Sequence, residues 1–348
     1  MGARTALVVG GTGPTGPPAV NGLLERGYEV TVFHSGLHEA EFAGPVRHIH
    51  GDVHFPETIR EACGDESFDL VIAQYGRLRH LADHFAGRTE HFIGVGSGGS
   101  IAGSDDPRWG GIGRPVVLFD EHRQITENDP ARNKLGFRMG EALQNLMQHH
   151  EDGHYVATYI GYPILYGPRQ PGAREWAIIR RALDGRRRII VPEGGQKLIG
   201  RGYNENVARA PLFAADQPEL AAGKSYVVSD LDFHTFSQRI AFIGQMLGHE
   251  FEIVSMPFDI ALPGHPLYEH RLEQRVFIDH TIRADLGYTD LYSSDEALTK
   301  TVEWYLANRP EPGGELEQQL GDPFDYARED AIMQIMDDAR ARIIDVGF

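Results

Sequence analysis

With 348 residues, 41 % of them apolar and 24 % charged, the chain has an ordinary globular composition and enough length for a sizeable core. Its 50 acidic and 33 basic side chains give a formal charge of −17, which argues against a nucleic-acid partner, because a phosphate backbone calls for a basic face. No apolar run reaches the roughly eighteen residues of a membrane span, and no apolar leader with a cleavage site follows Met1, so the expected setting is the cytoplasm, away from membranes.

The first element is the apolar run Ala6 to Val9, which ends in Gly10-Gly11-Thr12-Gly13-Pro14-Thr15-Gly16. Ala19 to Arg26 then carries apolar residues at helical spacing, and Tyr28 to Phe33 forms a second strand, so about thirty residues make a β-α-β unit. In that setting each glycine has a task. Gly10 permits the tight turn, Gly13 removes a Cβ that would block a pyrophosphate, and Gly16 lets the helix pack closely on the strand. Phosphates would sit on unpaired N–H groups at the positive end of the helix. The predicted cofactor contacts here are Gly10, Thr12, Gly13, Pro14, Thr15 and Gly16.

A third strand from Arg47 closes on Gly51-Asp52-Val53. Pro56 to Cys63 is predicted helical, Phe68 to Ala73 a fourth strand, Leu78 to Phe85 a helix, and His91 to Ser97 a fifth strand. This alternation predicts a Rossmann-type, doubly wound parallel sheet, with ligands beyond the carboxyl ends of its strands. Residues 98–132, rich in Gly, Asp and Pro, are expected to form a long loop over that edge. Helical periodicity returns over Asn133 to His149, and Tyr155 to Tyr166 is an apolar strand. Beyond it lie a helix over Glu175 to Leu183 and a short strand over Ile189 to Pro192. A strand from Ser225 and a helix over Thr235 to Leu247 are expected to return to the main sheet, and helices over Glu296 to Asn308 and Ala327 to Ile344 end the chain. Asp322, Asp325, Glu329 and Asp330 are expected to cap and solvate the last of these.

The single cysteine, Cys63, allows no internal disulfide and is expected to pack a helix. Among 17 histidines, His80 and His84 share a helix face but lack the Glu of a zinc-protease helix, and neither His48/His50 nor His149/His150 has ligand-like spacing. No metal is expected.

The order of these motifs resembles the extended short-chain dehydrogenase/reductase family, which includes nucleotide-sugar epimerases, dehydratases and related reductases. The resemblance spans roughly residues 5–245. Gly10-x-x-Gly13-x-x-Gly16 is similar to the family's cofactor turn and Gly51-Asp52-Val53 to its Gly-Asp-Val element, which implies that Asp52 and Val53 meet the adenine. Phe92 to Ala102 resembles the segment with the active-site Ser or Thr and points to Ser97. Thr126-Glu127-Asn128-Asp129-Pro130, Leu165-Tyr166-Gly167-Pro168 and the segment from Arg201 through Asn206 resemble further family elements. The resemblance implies a dinucleotide-binding domain over 1–166, completed by about 212–247, and a smaller substrate-binding and C-terminal part over 167–211 and 248–348. It also implies a homodimer, paired through helices that flank the fourth and fifth strands.

One departure stands out. Aligned on Glu141, Asn133 and Phe137 stand where the family carries Tyr and Lys of Tyr-x-x-x-Lys, so the chain looks like an atypical member. Lys134, Tyr75 and Tyr162 are the alternative proton donors, with Tyr166 beside them, and Ser97 is the expected hydrogen-bond donor to a carbonyl oxygen. The second strand ends in His34-Ser35-Gly36 without the carboxylate that marks NAD users, and His34 and Ser35 could donate to a 2′-phosphate, which favours NADP over NAD. The expected function is an NADP-dependent oxidoreductase acting on a carbonyl or secondary alcohol of a small organic substrate. An epimerase or dehydratase with transient hydride transfer, and a non-catalytic NmrA-like dinucleotide sensor, are the alternatives.

Overall fold

A computed structural model of the chain describes residues 2–74, 78–97, 116–119, 134–172, 174–232, 234–267 and 274–347. The chain divides into two units: 1–165 with 200–231 and 275–293, and 166–199 with 232–274 and 294–348.

The first unit is built on seven strands: β1 (Thr5–Val9), β2 (Glu29–His34), β3 (Arg47–His50), β4 (Phe68–Gln74), β5 (Thr89–Ser97), β6 (Val156–Tyr162) and β7 (Lys224–Val227). They lie in the order β7-β6-β5-β4-β1-β2-β3, and every pairing is parallel. The chain runs outward from β1 to β3, then restarts with β4 on the other side of β1. That reversal opens a crevice between β1 and β4 at the carboxyl edge. Helices α1 (Gly16–Glu25), α2 (Pro56–Cys63), α3 (Leu78–His84) and α4 (Lys134–Glu151) follow strands of the sheet.

Both faces of the strands are apolar, as burial on two sides requires. Ala6, Val8, Val32, Ile72, Ile93 and Ile160 point to one core, and Leu7, Val9, Phe33, Val71, Phe92 and Ala157 to the other. Cys63 packs in the second core, where burial pushes its thiol up to about 11. The predicted strand over Tyr155 to Tyr166 is two strands, Val156–Tyr162 and Ile164–Tyr166, divided at Pro163, which has no N–H for a ladder. Ile164–Tyr166 pairs instead with Arg201–Tyr203. Within the span expected as a loop, Val116–Phe119 is a strand paired with Gln274–Phe277, and the rest of 98–132 lies outside the described residues.

The second unit packs Trp176, Ile178, Ile179, Phe236, Ile240, Ile243, Leu298 and Val302 into its own core, beside a parallel pair of strands, Arg188–Pro192 and Glu252–Met256. The helix expected to rejoin the main sheet, here Phe236–Met246, belongs to this unit because its apolar stripe meets Trp176 and Leu298 rather than the sheet. Nor do the acidic residues near the last helix, Tyr326–Val346, simply solvate it. Asp325 caps it by accepting from the Arg328 N–H at 3.1 Å. Asp322 and Glu329 are buried against Arg181, at 2.7 and 2.5 Å. Among the described residues no helix is long and apolar enough to cross a membrane.

Candidate functional site

The glycine turn follows β1 at the crevice. Gly10 has φ +80°, and a Cβ there would lie 2.7 Å from the Gln74 carbonyl oxygen of the neighbouring β4. A Cβ on Gly16 would lie 2.2 Å from the carbonyl carbon and oxygen of Gly11, so the start of α1 rests directly on the turn. Gly13 differs from both. A Cβ there would meet only the Gly10 carbonyl oxygen, at an ordinary 3.5 Å, so its outward side is open space.

Hydrogen bonding decides which N–H groups the turn can offer. The Gly13 N–H donates to the Gly10 carbonyl and the Gly16 N–H to the Gly13 carbonyl, at 3.2 and 2.9 Å. Pro14, Pro17 and Pro18 have no N–H. The first turn of α1 therefore supplies no donor for an anion. Among the described residues, the N–H groups of Gly11, Thr12 and Thr15 are the ones in the turn not given to a backbone carbonyl. The anion site expected at the helix end is thus narrowed to the turn before it.

Two side chains from distant parts of the chain, Gln74 and Asn204, hold this turn. The Thr15 hydroxyl, rather than capping α1, donates to Gln74 Oε1 at 2.5 Å, and both residues are buried. Asn204 Nδ2 donates to the Pro14 carbonyl at 3.2 Å from a short helix, Asn204–Val207, that follows the Arg201–Tyr203 strand. Neither partnership leaves a local signal, because the residues are 59 and 190 positions apart in sequence.

At the end of β2, His34 is buried, and desolvation, which disfavours the imidazolium, pushes its pKa below the ordinary value. Its Nε2 lies 2.9 Å from His48 Nδ1, and its Nδ1 accepts the Gly36 N–H at 3.3 Å. Both ring nitrogens are engaged, so in this arrangement His34 has no spare proton for a phosphate. Ser35 is exposed. Asp52 is exposed too, and its Oδ1 accepts the His54 backbone N–H at 2.8 Å and lies 2.5 Å from His54 Nδ1. Val53 is half-buried against the second core.

Ser97 ends β5 directly opposite Tyr162, which ends β6. The structure thus brings two of the expected catalytic residues to adjacent strand ends. Beneath them, from the other face, the Tyr159 hydroxyl donates to the Ser97 carbonyl at 3.2 Å, and burial raises that phenol's pKa. It reaches there only because residue 96 is glycine: a Cβ would lie 2.4 Å from the Tyr159 oxygen. Lys134 is the first residue of α4, Arg138 one turn on is exposed, and Tyr75 and Asn133 lie outside the described residues.

No protein-family model matches the sequence, and no curated protein does. Solved structures do. A UDP-glucose 4-epimerase from Thermotoga maritima, solved with UDP-glucose, is 17 % identical with a TM-score of 0.70, over 88 % of this chain and 100 % of its own. A UDP-glucose 4-epimerase from Thermus thermophilus in complex with NAD is 18 % identical with a TM-score of 0.66, over 87 % and 99 %. A dTDP-glucose 4,6-dehydratase from Bacillus anthracis in complex with NAD is 15 % identical with a TM-score of 0.65, over 88 % and 97 %. The fold is that of the extended short-chain dehydrogenase/reductases. At this identity the likeness speaks for architecture, and the chemistry has to be argued from the residues.

Proposed function

We propose that the protein is a nicotinamide-dinucleotide-dependent oxidoreductase that acts on a carbonyl or secondary alcohol. The observation that carries this reading is a single sheet edge with a glycine cradle at its switch point and, on nearby strand ends, Ser97 paired with Tyr162. The cradle fits a pyrophosphate: the space in front of Gly13 is open, and Thr12 and Thr15 can present N–H groups. NADP is the form we assign, with Ser35 as donor to the 2′-phosphate.

A nicotinamide bound at this edge supplies or accepts a hydride. The chain's part is to hold the substrate oxygen. Ser97 Oγ donates to that oxygen as charge develops on it, and Tyr159 fixes the Ser97 backbone from below. Tyr162, Lys134 or Tyr75 exchanges the proton. A second reading, an epimerase or dehydratase that returns the hydride to a sugar nucleotide, is favoured by the UDP-glucose and dTDP-glucose enzymes that share the fold.

Titration with NADPH and NADH tests the foundation, followed by turnover assays on carbonyl compounds and on UDP- and dTDP-glucose. Binding with turnover, reduced about a hundredfold in Ser97→Ala, supports the oxidoreductase. Hydride return without net cofactor oxidation supports the second reading. Tight binding with no turnover on any of these would assign a dinucleotide sensor instead, and failure to bind either cofactor would remove the proposal.

A further inference from the structure

The outer strand pair of the sheet gathers imidazoles. In the parallel register of β2 and β3, His34 stands opposite His50 and Val32 opposite His48. Strand alternation therefore places His34, His48 and His50 on one face, the face on which Val32 enters the core. Their rings close on one another, with centroids 5.1 Å apart for His34 and His48 and 4.6 Å for His34 and His50. One ring nitrogen from each of the three lies within 4.8 Å of the other two. His34 is buried, whereas His48 and His50 are exposed, so the cluster has a packed floor and an open side.

The neighbours decide what such a cluster suits. Glu39 Oε1 stands 4.0 Å from His50 Nε2, where it would repel a phosphate and attract a cation. Arg47, next to His48 in sequence, turns to the opposite face and binds Thr31 and Glu66, so it adds no positive charge here. Neutral imidazoles suit late first-row divalent ions, zinc above all. Zn–N bonds of about 2.0–2.1 Å put the nitrogens of a tetrahedral site roughly 3.4 Å apart. Here His34 Nε2 and His48 Nδ1 are at 2.9 Å, and rotation of the two exposed rings covers the difference.

We propose that His34, His48 and His50 form a zinc-class divalent metal site, with Glu39 beside its fourth position. The three ligands are contributed by adjacent strand ends, so the ion would clamp the edge strand β3 to β2. The proposal rests on these residues alone and does not depend on dinucleotide binding. Histidine spacing along the chain misses the site, because the ligands are 14 and 2 residues apart and only the strand register unites them.

The test is titration of chelator-treated full-length protein with Zn²⁺ by calorimetry and with Co²⁺ by visible absorption. One equivalent per chain and a tetrahedral Co²⁺ spectrum are expected. His48→Gln and His50→Gln, both at exposed positions and so compatible with folding, should each weaken binding at least about tenfold. Circular dichroism checks that they fold. His149→Gln removes a histidine from an unrelated surface pair, His149 with His154, and should leave binding unchanged. Absence of stoichiometric binding, binding only at millimolar metal, or binding indifferent to His48→Gln and His50→Gln would each overturn the site.

Discussion

Gly13 and Gly16 read alike in the motif, and the structure separates them. A methyl group on Gly16 would have to occupy the space of the Gly11 carbonyl, which is backbone and cannot rotate away. Gly16→Ala should therefore lower stability by about 1–3 kcal/mol, the range for overpacking. Gly13 has ordinary room around its missing Cβ and a backbone that does not need positive φ. Gly13→Ala should leave the urea midpoint essentially unchanged while weakening dinucleotide binding by tenfold or more. Equal effects of the two variants on stability would mean that Gly13 is structural and that the open space before it is not a phosphate site.

At the scale of elements, alternation of apolar runs and helical periodicity located most strands of the sheet and the long helices, since each is specified by its own residues. The helix expected over Pro56 to Cys63 has those bounds in the structure. Elements held by distant partners were not legible. The Arg201–Tyr203 strand is only three residues long and exists because it pairs with Ile164–Tyr166. The same holds at the site: the glycines and Ser97 stand out in sequence, whereas Gln74, Asn204 and the histidine cluster depend on register and long-range contact. The reading that the acidic residues at the last helix cap and solvate it fits Asp325, which caps it, and exposed Asp330, but misses Asp322 and Glu329, which are buried, for this reason too. Arg181 is fully buried, gives Nη1 to Asp322 and Nη2 to Glu329, and so ties the helix over Arg174–Leu183 to the last helix of the second unit. Arg181→Met would leave two carboxylates buried without their counter-charge, which costs about 3–5 kcal/mol. Urea unfolding followed by tryptophan fluorescence suits the test, because Trp176 and Trp304 both belong to that unit's core. A loss below about 1 kcal/mol would show that the carboxylates find other partners.

For the molecule as a whole, the acid side of the stability profile follows from a histidine remote from the cofactor turn. His91, in the middle of the sheet on β5, lies 2.9 Å from Thr158 Oγ1 on β6, and Thr158 in turn donates to the Ala221 carbonyl at 2.8 Å. Since the Thr158 proton is committed to Ala221, the His91 nitrogen is the donor between them. Burial, with a smaller contribution from His150, pushes the His91 pKa from 6.5 down to about 4. The unfolded chain therefore binds a proton more readily than the folded one between those values. Stability from this group is complete above about pH 6.5 and is lost as pH falls toward 4. Each tenfold difference in proton affinity between the folded and unfolded chain is worth about 1.4 kcal/mol, so the loss across the window is about 3 kcal/mol. His91→Gln removes the titrating group while keeping an N–H donor for Thr158. The variant should lose less stability than the parent between pH 7 and pH 4.5, measured as urea midpoints at each pH. If the two profiles run parallel, His91 is not the group that protonates on unfolding, and the acid lability of the sheet lies in its carboxylate pairs instead.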